Sequence, residues 1–200
     1  MEIKYQNIIL RDARESDIAD DIRWNTVETE WALWDAPWEM EEELANFNPE
    51  AYRQTELERL QRPKNEPRWS FELDTADGVH IGSVNAYLID ENWDWVQQPV
   101  PGQKVYRTLG IEINDCQYWS CGLGTQALAA FIRYYLEHGI CDLCLQTWSG
   151  NVRMIRCAEK LGFVECNREV GLRLVRGGVY DGLTFRLDLS RFLRRFAENA

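Results

Sequence analysis

Residues 109–139 read LGIEINDCQYWSCGLGTQALAAFIRYYLEHG. Alternation from Leu109 to Asn114 predicts a strand, with Leu109, Ile111 and Ile113 on one face and Gly110, Glu112 and Asn114 on the other. From Gly122 to about Glu137 the period becomes helical, and Leu128, Phe131, Ile132 and Tyr135 share one face. Between strand and helix lies Gly122-Leu123-Gly124-Thr125. Closely spaced glycines at a helix start let main-chain N–H groups approach a ligand with no Cβ in the way. Those N–H groups lack intrahelical partners, and the helix dipole adds partial positive charge. The turn is therefore a candidate cradle for phosphate or pyrophosphate.

Two familiar phosphate motifs fit poorly. A Walker loop ends in Gly-Lys-Ser/Thr, whereas Gly124 is followed by Thr125-Gln126. GLGTQA satisfies the relaxed G-x-G-x-x-A dinucleotide pattern. That fingerprint follows its strand almost directly and needs an acid at the end of the next strand. Here several residues intervene, and the next strand ends at Thr147-Trp148.

Working outward, KVYRTLGIEIND completes the strand, and CDLCLQTW after the helix reads as a buried strand. Asn151 to Leu161 is a short amphipathic helix stopped by Gly162. Residues 163–189 supply the last strands, and SRFLRRFAENA a basic tail helix. Upstream, residues 1–13 hold a short β-type run, and Glu15-Ser16-Asp17 opens a helix through Ile18 and Ile22 and as far as Val27. Residues 49–62 form a surface helix with Tyr52, Leu57 and Leu60 inward. RWSFELDT, the turn ADG and VHIGSVNAYLID form a hairpin, and 91–103 is a loop. The expected class is α/β (α+β), one layered domain over 1–200.

Residues 24–52 carry Trp24, Trp31, Trp34 and Trp38, eight acids and no Lys or Arg. Aromatic faces beside carboxylates suit an ammonium through cation–π and charge attraction. A tryptophan patch packed in the core beside surface acids explains the same composition equally well. Trp93 and Trp95 could close another wall as a lid.

Acids number 33 and bases 22, a net charge of −11 that argues against nucleic-acid binding and suits a cationic partner. No stretch has the ~18 apolar residues of a membrane span, and MEIKYQNIILRDARESD carries no secretory pattern. The six cysteines include one C-x-x-C, Cys141 and Cys144. A zinc site needs a second pair or histidines at ligand spacing, and His80 and His138 have neither relation. We expect no metal and reduced thiols in a cytoplasm.

YWSCGLGTQAL resembles the YWGKGYGTEAL form of the acyl-CoA motif R/Q-x-x-G-x-G/A of the GNAT family of N-acetyltransferases. NVRMIRCAEKLGFVE is similar to that family's later motif N-x-x-A-I-R-x-Y-E-K-L-G-F, matched by Asn151, Ile155, Arg156, Glu159, Lys160, Leu161, Gly162 and Phe163. The likeness is strongest over 105–188 and points to the ribosomal-protein and aminoglycoside-acetylating branches. It implies a mixed, mostly antiparallel sheet flanked by helices. Its central strands, around Leu109–Ile113 and Leu143–Trp148, would splay apart to admit pantetheine. It implies acetyl-CoA contacts at Ile111, Ile113, Trp119, Ser120, Cys121, Gly122, Leu123, Gly124, Thr125, Asn151 and Arg156, with no metal. Trp119 replaces the usual Arg or Gln.

The implied reaction is acetyl transfer from acetyl-CoA to a primary amine by direct attack in a ternary complex. Glu112 is the candidate base, or else an edge carboxylate that orients substrate. Asn151 would lie near the leaving sulfur, and it equally suits a helix N-cap. Main-chain N–H groups near Ile113 and Asn114 would serve the carbonyl oxygen. The family's usual thiolate acid, a Tyr, is here Ala158, which leaves Tyr118, Tyr134, Tyr180 or water. The acceptor side, about 14–62, would offer Trp31, Trp34 and Asp35, with Glu112, to a cationic polyamine, an aminoglycoside-like amine or a protein N-terminus. A non-catalytic acyl-CoA-binding sensor is the alternative, and a homodimer is left open.

Overall fold

A computed structural model describes residues 1–196. The strands are β1 (Glu2–Tyr5), β2 (Ile8–Arg11), β3 (Ser70–Thr75), β4 (His80–Asp90), β5 (Trp95–Val96), β6 (Val105–Ile113), β7 (Leu143–Trp148), β8 (Phe163–Val175) and β9 (Gly178–Leu187). The helices are α1 (Asp17–Thr26), α2 (Pro37–Ala45), α3 (Pro49–Leu60), α4 (Leu123–Glu137), α5 (Val152–Leu161) and α6 (Leu189–Phe196). The last four residues of the expected tail helix lie outside the described residues.

The strands join in one sheet, ordered β1-β2-β3-β4-β6-β7-β9-β8, with β5 on β4. Among the described residues only β6 and β7 pair in parallel. The single amino-terminal run expected from sequence is two strands, joined at Gln6-Asn7 with Gln6 at φ 50°.

Helix α4 lays Ala127, Leu128, Phe131, Ile132 and Tyr135, all fully buried, on one face of the sheet. Phe71 meets Phe131 edge-on at 5.8 Å, so Phe71 and Leu73 point to that side. Strand alternation turns Glu72 and Asp74 to the opposite side. There α1 brings Asp17 and Asp20 beside His80, and Arg11 binds both Asp17 and Asp74. Tyr52, Leu57 and Leu60 of α3 are half-buried, but its most enclosed residue is Glu56, which pairs with Arg59.

The β6–β7 ladder runs through Arg107↔Leu143, Thr108↔Cys144 and Leu109↔Leu145 and then stops. Both strands continue, β6 paired with β4 to Ile113 and β7 paired with β9 to Trp148. Each keeps its outer neighbour and loses its inner one, which opens the sheet. Within that gap the alternate main-chain groups of Gly110–Ile113 that would extend the ladder meet no strand. No helix among the described residues is long and apolar enough to cross a membrane.

Candidate functional site

A cleft of about 450 Å³ occupies the opened sheet. Its floor is Gly110–Ile113, one end is the start of α4, and one wall is α5. The start of α4 lies directly above β6: a Cβ on Gly124 would sit 3.5 Å from Ile113 Cδ1 and 3.7 Å from Ile111 Cδ1.

The loop before α4 turns through left-handed residues at Ser120 (φ 62°) and Gly122 (φ 83°). Such alternation gathers successive N–H groups into a concavity for anions. The first N–H groups of α4 add to it, being without intrahelical acceptors. A Cβ on Gly122 would meet nothing within 4 Å, so the cradle faces open space. The Trp119 indole donates to the Ile113 carbonyl at 2.6 Å, which fixes the loop to the end of β6.

Helix α5 projects Arg153, Arg156 and Lys160 along this wall. Arg153 is held between two rings, its guanidinium 4.2 Å from the Trp34 ring centre and 4.5 Å from that of Trp119. In a chain of net charge −11, three cations facing a helix N-terminus make one end of the cleft positive. The i, i+3 and i+7 spacing of this row is visible in the sequence, where the motif resemblance implies only Arg156 as a contact.

The other end is acidic. Glu112 lies on the floor and Asp35 at the acceptor side. Burial, then the charges of Asp35, Glu72 and Asp21, raise the Glu112 carboxyl well above the usual carboxylate range, against an opposing hydrogen bond from Asn114. Enclosure by the cleft walls, then Glu39 and Glu43, raise Asp35 also. Water still reaches both through the open cleft and tempers the effect. A cation bound between them would reverse it.

Trp31 and Trp34 line the cleft. Trp24 is fully buried, and its carbonyl accepts from the Trp31 indole at 2.9 Å. Trp38 packs edge-on to Trp148 at 6.4 Å under the Arg173 guanidinium. The tryptophan stretch thus divides between core and site. Trp93 and Trp95 are not cleft residues: Trp93 stacks on Tyr106 at 5.7 Å, and Trp95 is exposed on β5. The short β4–β5 pairing anchors this loop, and the Trp93 carbonyl accepts from Gln146, a cleft residue, at 2.9 Å.

Ser120, Thr125, Asn151 and Arg156 also line the cleft, whereas Cys121 and Leu123 do not. Leu123 packs in the core, and the Cys121 thiol turns to the Trp119 carbonyl. Both reach the cradle only through main chain. Asn151 caps α5, its Oδ1 accepting from Met154 N at 3.1 Å. The Asn114 N–H is spent on the Ile81 carbonyl at 2.9 Å, so it has no part in an oxyanion site. Of the three tyrosines considered, Tyr118 lines the cleft. Tyr134 donates to Glu66, and Tyr180 packs on Trp148. Cys157 lines the cleft 3.4 Å from the Thr125 hydroxyl, and burial pushes its thiol up, away from a nucleophilic thiolate. Among the described residues no group of His, Cys, Asp and Glu could hold a metal.

No curated protein matches the chain. Among solved structures it is similar to ribosomal-protein-S5-alanine acetyltransferase from Vibrio fischeri, at 15% identity, 93% and 95% coverage of this chain and that one, and TM-score 0.66. A ribosomal L7/L12 alpha-N-protein acetyltransferase in complex with coenzyme A is similar at 14% identity, 93% and 97% coverage and TM-score 0.64. Spermidine N-acetyltransferase from Vibrio cholerae, in complex with CoA and spermine, is similar at 14%, 94% and 98% coverage and TM-score 0.64. Residues 7–164 match the sequence profile of the acetyltransferase (GNAT) domain, and the chain therefore belongs to the GNAT acetyltransferase family.

Proposed function

We propose that the chain transfers an acetyl group from acetyl-CoA to a primary amine of a cationic acceptor, by direct attack with both substrates bound. The observation that carries this reading is the electrical polarity of one cleft. Its positive end, at the head of α4 and along Arg153, Arg156 and Lys160, suits a polyphosphate. Its acidic end, at Glu112 and Asp35, suits an ammonium, whose charge favours their ionised form. The two ends meet where β6 and β7 part.

The free strand edge fits a pantetheine arm, whose amides can extend the broken ladder. Bound there, acetyl-CoA supplies an activated acetyl group. Glu112 removes the ammonium proton directly or through one water, and its raised proton affinity brings it nearer to the amine it must deprotonate. With Asn114 excluded, the Ile113 N–H is the remaining candidate of that pair for the carbonyl oxygen. Tyr118 is the tyrosine whose hydroxyl can serve the departing thiolate. Trp31, Trp34 and Asp35 hold the acceptor. Structures similar to this one include enzymes named for ribosomal-protein and spermidine substrates, which supports a basic amine acceptor. Six free cysteines suit the cytoplasm in which such a reaction would run.

One observation favours a second reading. Ala158 is fully buried in the core at the motif position expected to hold a tyrosine, so a non-catalytic acyl-CoA binder remains the rival. The deciding experiment offers acetyl-CoA with polyamines, aminoglycosides and N-terminal peptides and follows free CoA thiol. Acceptor-dependent thiol release is expected. Tight CoA binding without release on any amine would favour the rival.

A further inference from the structure

Behind Glu112 the sheet carries a polar row that the reaction does not use. Register places Glu72 opposite Ser83, and Ser83 opposite Glu112. Directly paired residues share a face, so the three side chains stand in line across β3, β4 and β6. Two strand spacings separate Glu72 from Glu112, about 10 Å.

The far end of this row is anchored by His80, whose side chain is 6% exposed. Its Nε2 lies 3.3 Å from Glu72 Oε2, and its Nδ1 lies 3.2 Å from Asp20 Oδ2. A neutral imidazole can donate from one nitrogen only. Carboxylates on both nitrogens therefore hold it as a cation, in accord with its raised proton affinity. The Trp24 ring covers it at 4.9 Å.

The surrounding charges come from every neighbouring element. On α1, Asp17 lies 3.9 Å from His80, Arg23 holds Asp20, and Asp21 accepts from Tyr52 of α3. From β2, Arg11 neutralises Asp17 and Asp74, the latter being the strand partner of His80. From α3, Arg59 binds Glu56 and reaches within 3.9 Å of Glu72. Asp35 faces Glu112 from the acceptor side.

We propose that Glu72 and His80 are positioning residues for Glu112: their opposed charges, acting across the row formed by β3, β4 and β6, set the pH above which Glu112 works as a base. The proposal rests on the reading of Glu112 as that base. Removing the negative charge in Glu72→Gln relieves repulsion and favours Glu112 ionisation. Removing the positive charge in His80→Asn leaves Glu72 unbalanced and disfavours it.

The test has two readouts. One is the pH profile of kcat/KM for acetyl transfer. The other needs no turnover: carbon NMR titration of the Glu112 carboxyl in glutamate-labelled protein, assigned by its loss in Glu112→Gln. Glu72→Gln should move the midpoint down and His80→Asn should move it up, each by about half to one pH unit for a charge at that distance. The double variant should return toward wild type. Equal midpoints in the folded variants, or shifts of one sign, would overturn the proposal. If either variant fails to fold by near-ultraviolet circular dichroism, the sign of the other decides. If wild type acetylates no amine, the enzyme reading fails, while the titration still decides the coupling.

Discussion

Asn151 ties the head of α5 to the acceptor-side loop, its Nδ2 donating to the Trp34 carbonyl at 3.1 Å. The Trp148 indole donates to the same carbonyl at 2.9 Å. The loop that bears Trp34 and Asp35 is thus hung from the two elements that flank the open end of β7. Asn151 also caps α5, so one side chain holds two parts of the cleft at once.

These two tasks separate by substitution. Asn151→Ser keeps a capping oxygen but is too short to reach Trp34, whereas Asn151→Ala loses both bonds. The cap contributes about 1 kcal/mol. Asn151→Ala should therefore melt about 2–4 °C below Asn151→Ser in a chain of this size. Both should raise KM for the amine, because the Trp34 carbonyl then keeps only the Trp148 indole as donor. Thermal unfolding and steady-state kinetics read the two effects. Equal melting of both variants would deny the cap its contribution.

Glu112 couples function to stability with opposite signs. In Glu112→Gln, kcat/KM should fall by about 100-fold or more and lose its acid limb, as removal of a general base requires. A carboxyl raised in the folded chain keeps a proton that the unfolded chain has released. Stability therefore falls as pH climbs from about 4, the unfolded value, toward the raised one. Glutamine carries no such penalty. Glu112→Gln should melt above wild type at pH 8 and level with it near pH 4, which calorimetry at the two pH values would check.

The parts of this fold written in local sequence were the legible ones. Helices α4 and α5 show an apolar period, and Gly162 and Asn151 mark the ends of α5 with short-range chemistry. The division among tryptophans was not legible. Trp24 and Trp34 have the same composition around them, and only tertiary packing sends one to the core and the other to the cleft. Buried charge was hidden for a similar reason. Arg11, Asp17, Glu56 and Glu72 look like surface residues until the sheet register and α1 enclose them. The opening between β6 and β7 follows from pairings beyond each strand, so periodicity could not reveal it; the motif resemblance did.

The positive end of the cleft can be tested without the amine. Arg156→Gln with Lys160→Gln removes two cations that face the α4 terminus. Acetyl-CoA affinity should drop about tenfold, the loss of one to two partly exposed charge-assisted contacts. KM for acetylpantetheine, which lacks the phosphates, should stay near the wild-type value. The wild-type affinity for acetyl-CoA should also weaken with added salt, and the double variant should show a shallower dependence. Equal losses for both donors would mean that these residues shape the cleft rather than bind phosphate.

Gly122 and Gly124 should respond differently although they stand two residues apart. Gly122 holds φ 83°, so Gly122→Ala forces a left-handed alanine into open space. Its cost is backbone strain of about 1 kcal/mol, or roughly 2–4 °C in Tm, with the cradle distorted as well. Gly124 lies inside α4, where a methyl group would make ordinary contacts with Ile111 and Ile113. Gly124→Ala should therefore fold at least as stably as wild type. Gly124→Glu places a carboxylate where the helix end and the cleft cations attract the phosphates, and it should abolish acetyl-CoA binding while the apo protein still folds. Isothermal calorimetry on the three variants, beside their melting curves, separates strain from charge. Undiminished affinity in Gly124→Glu would remove the α4 terminus from the binding site.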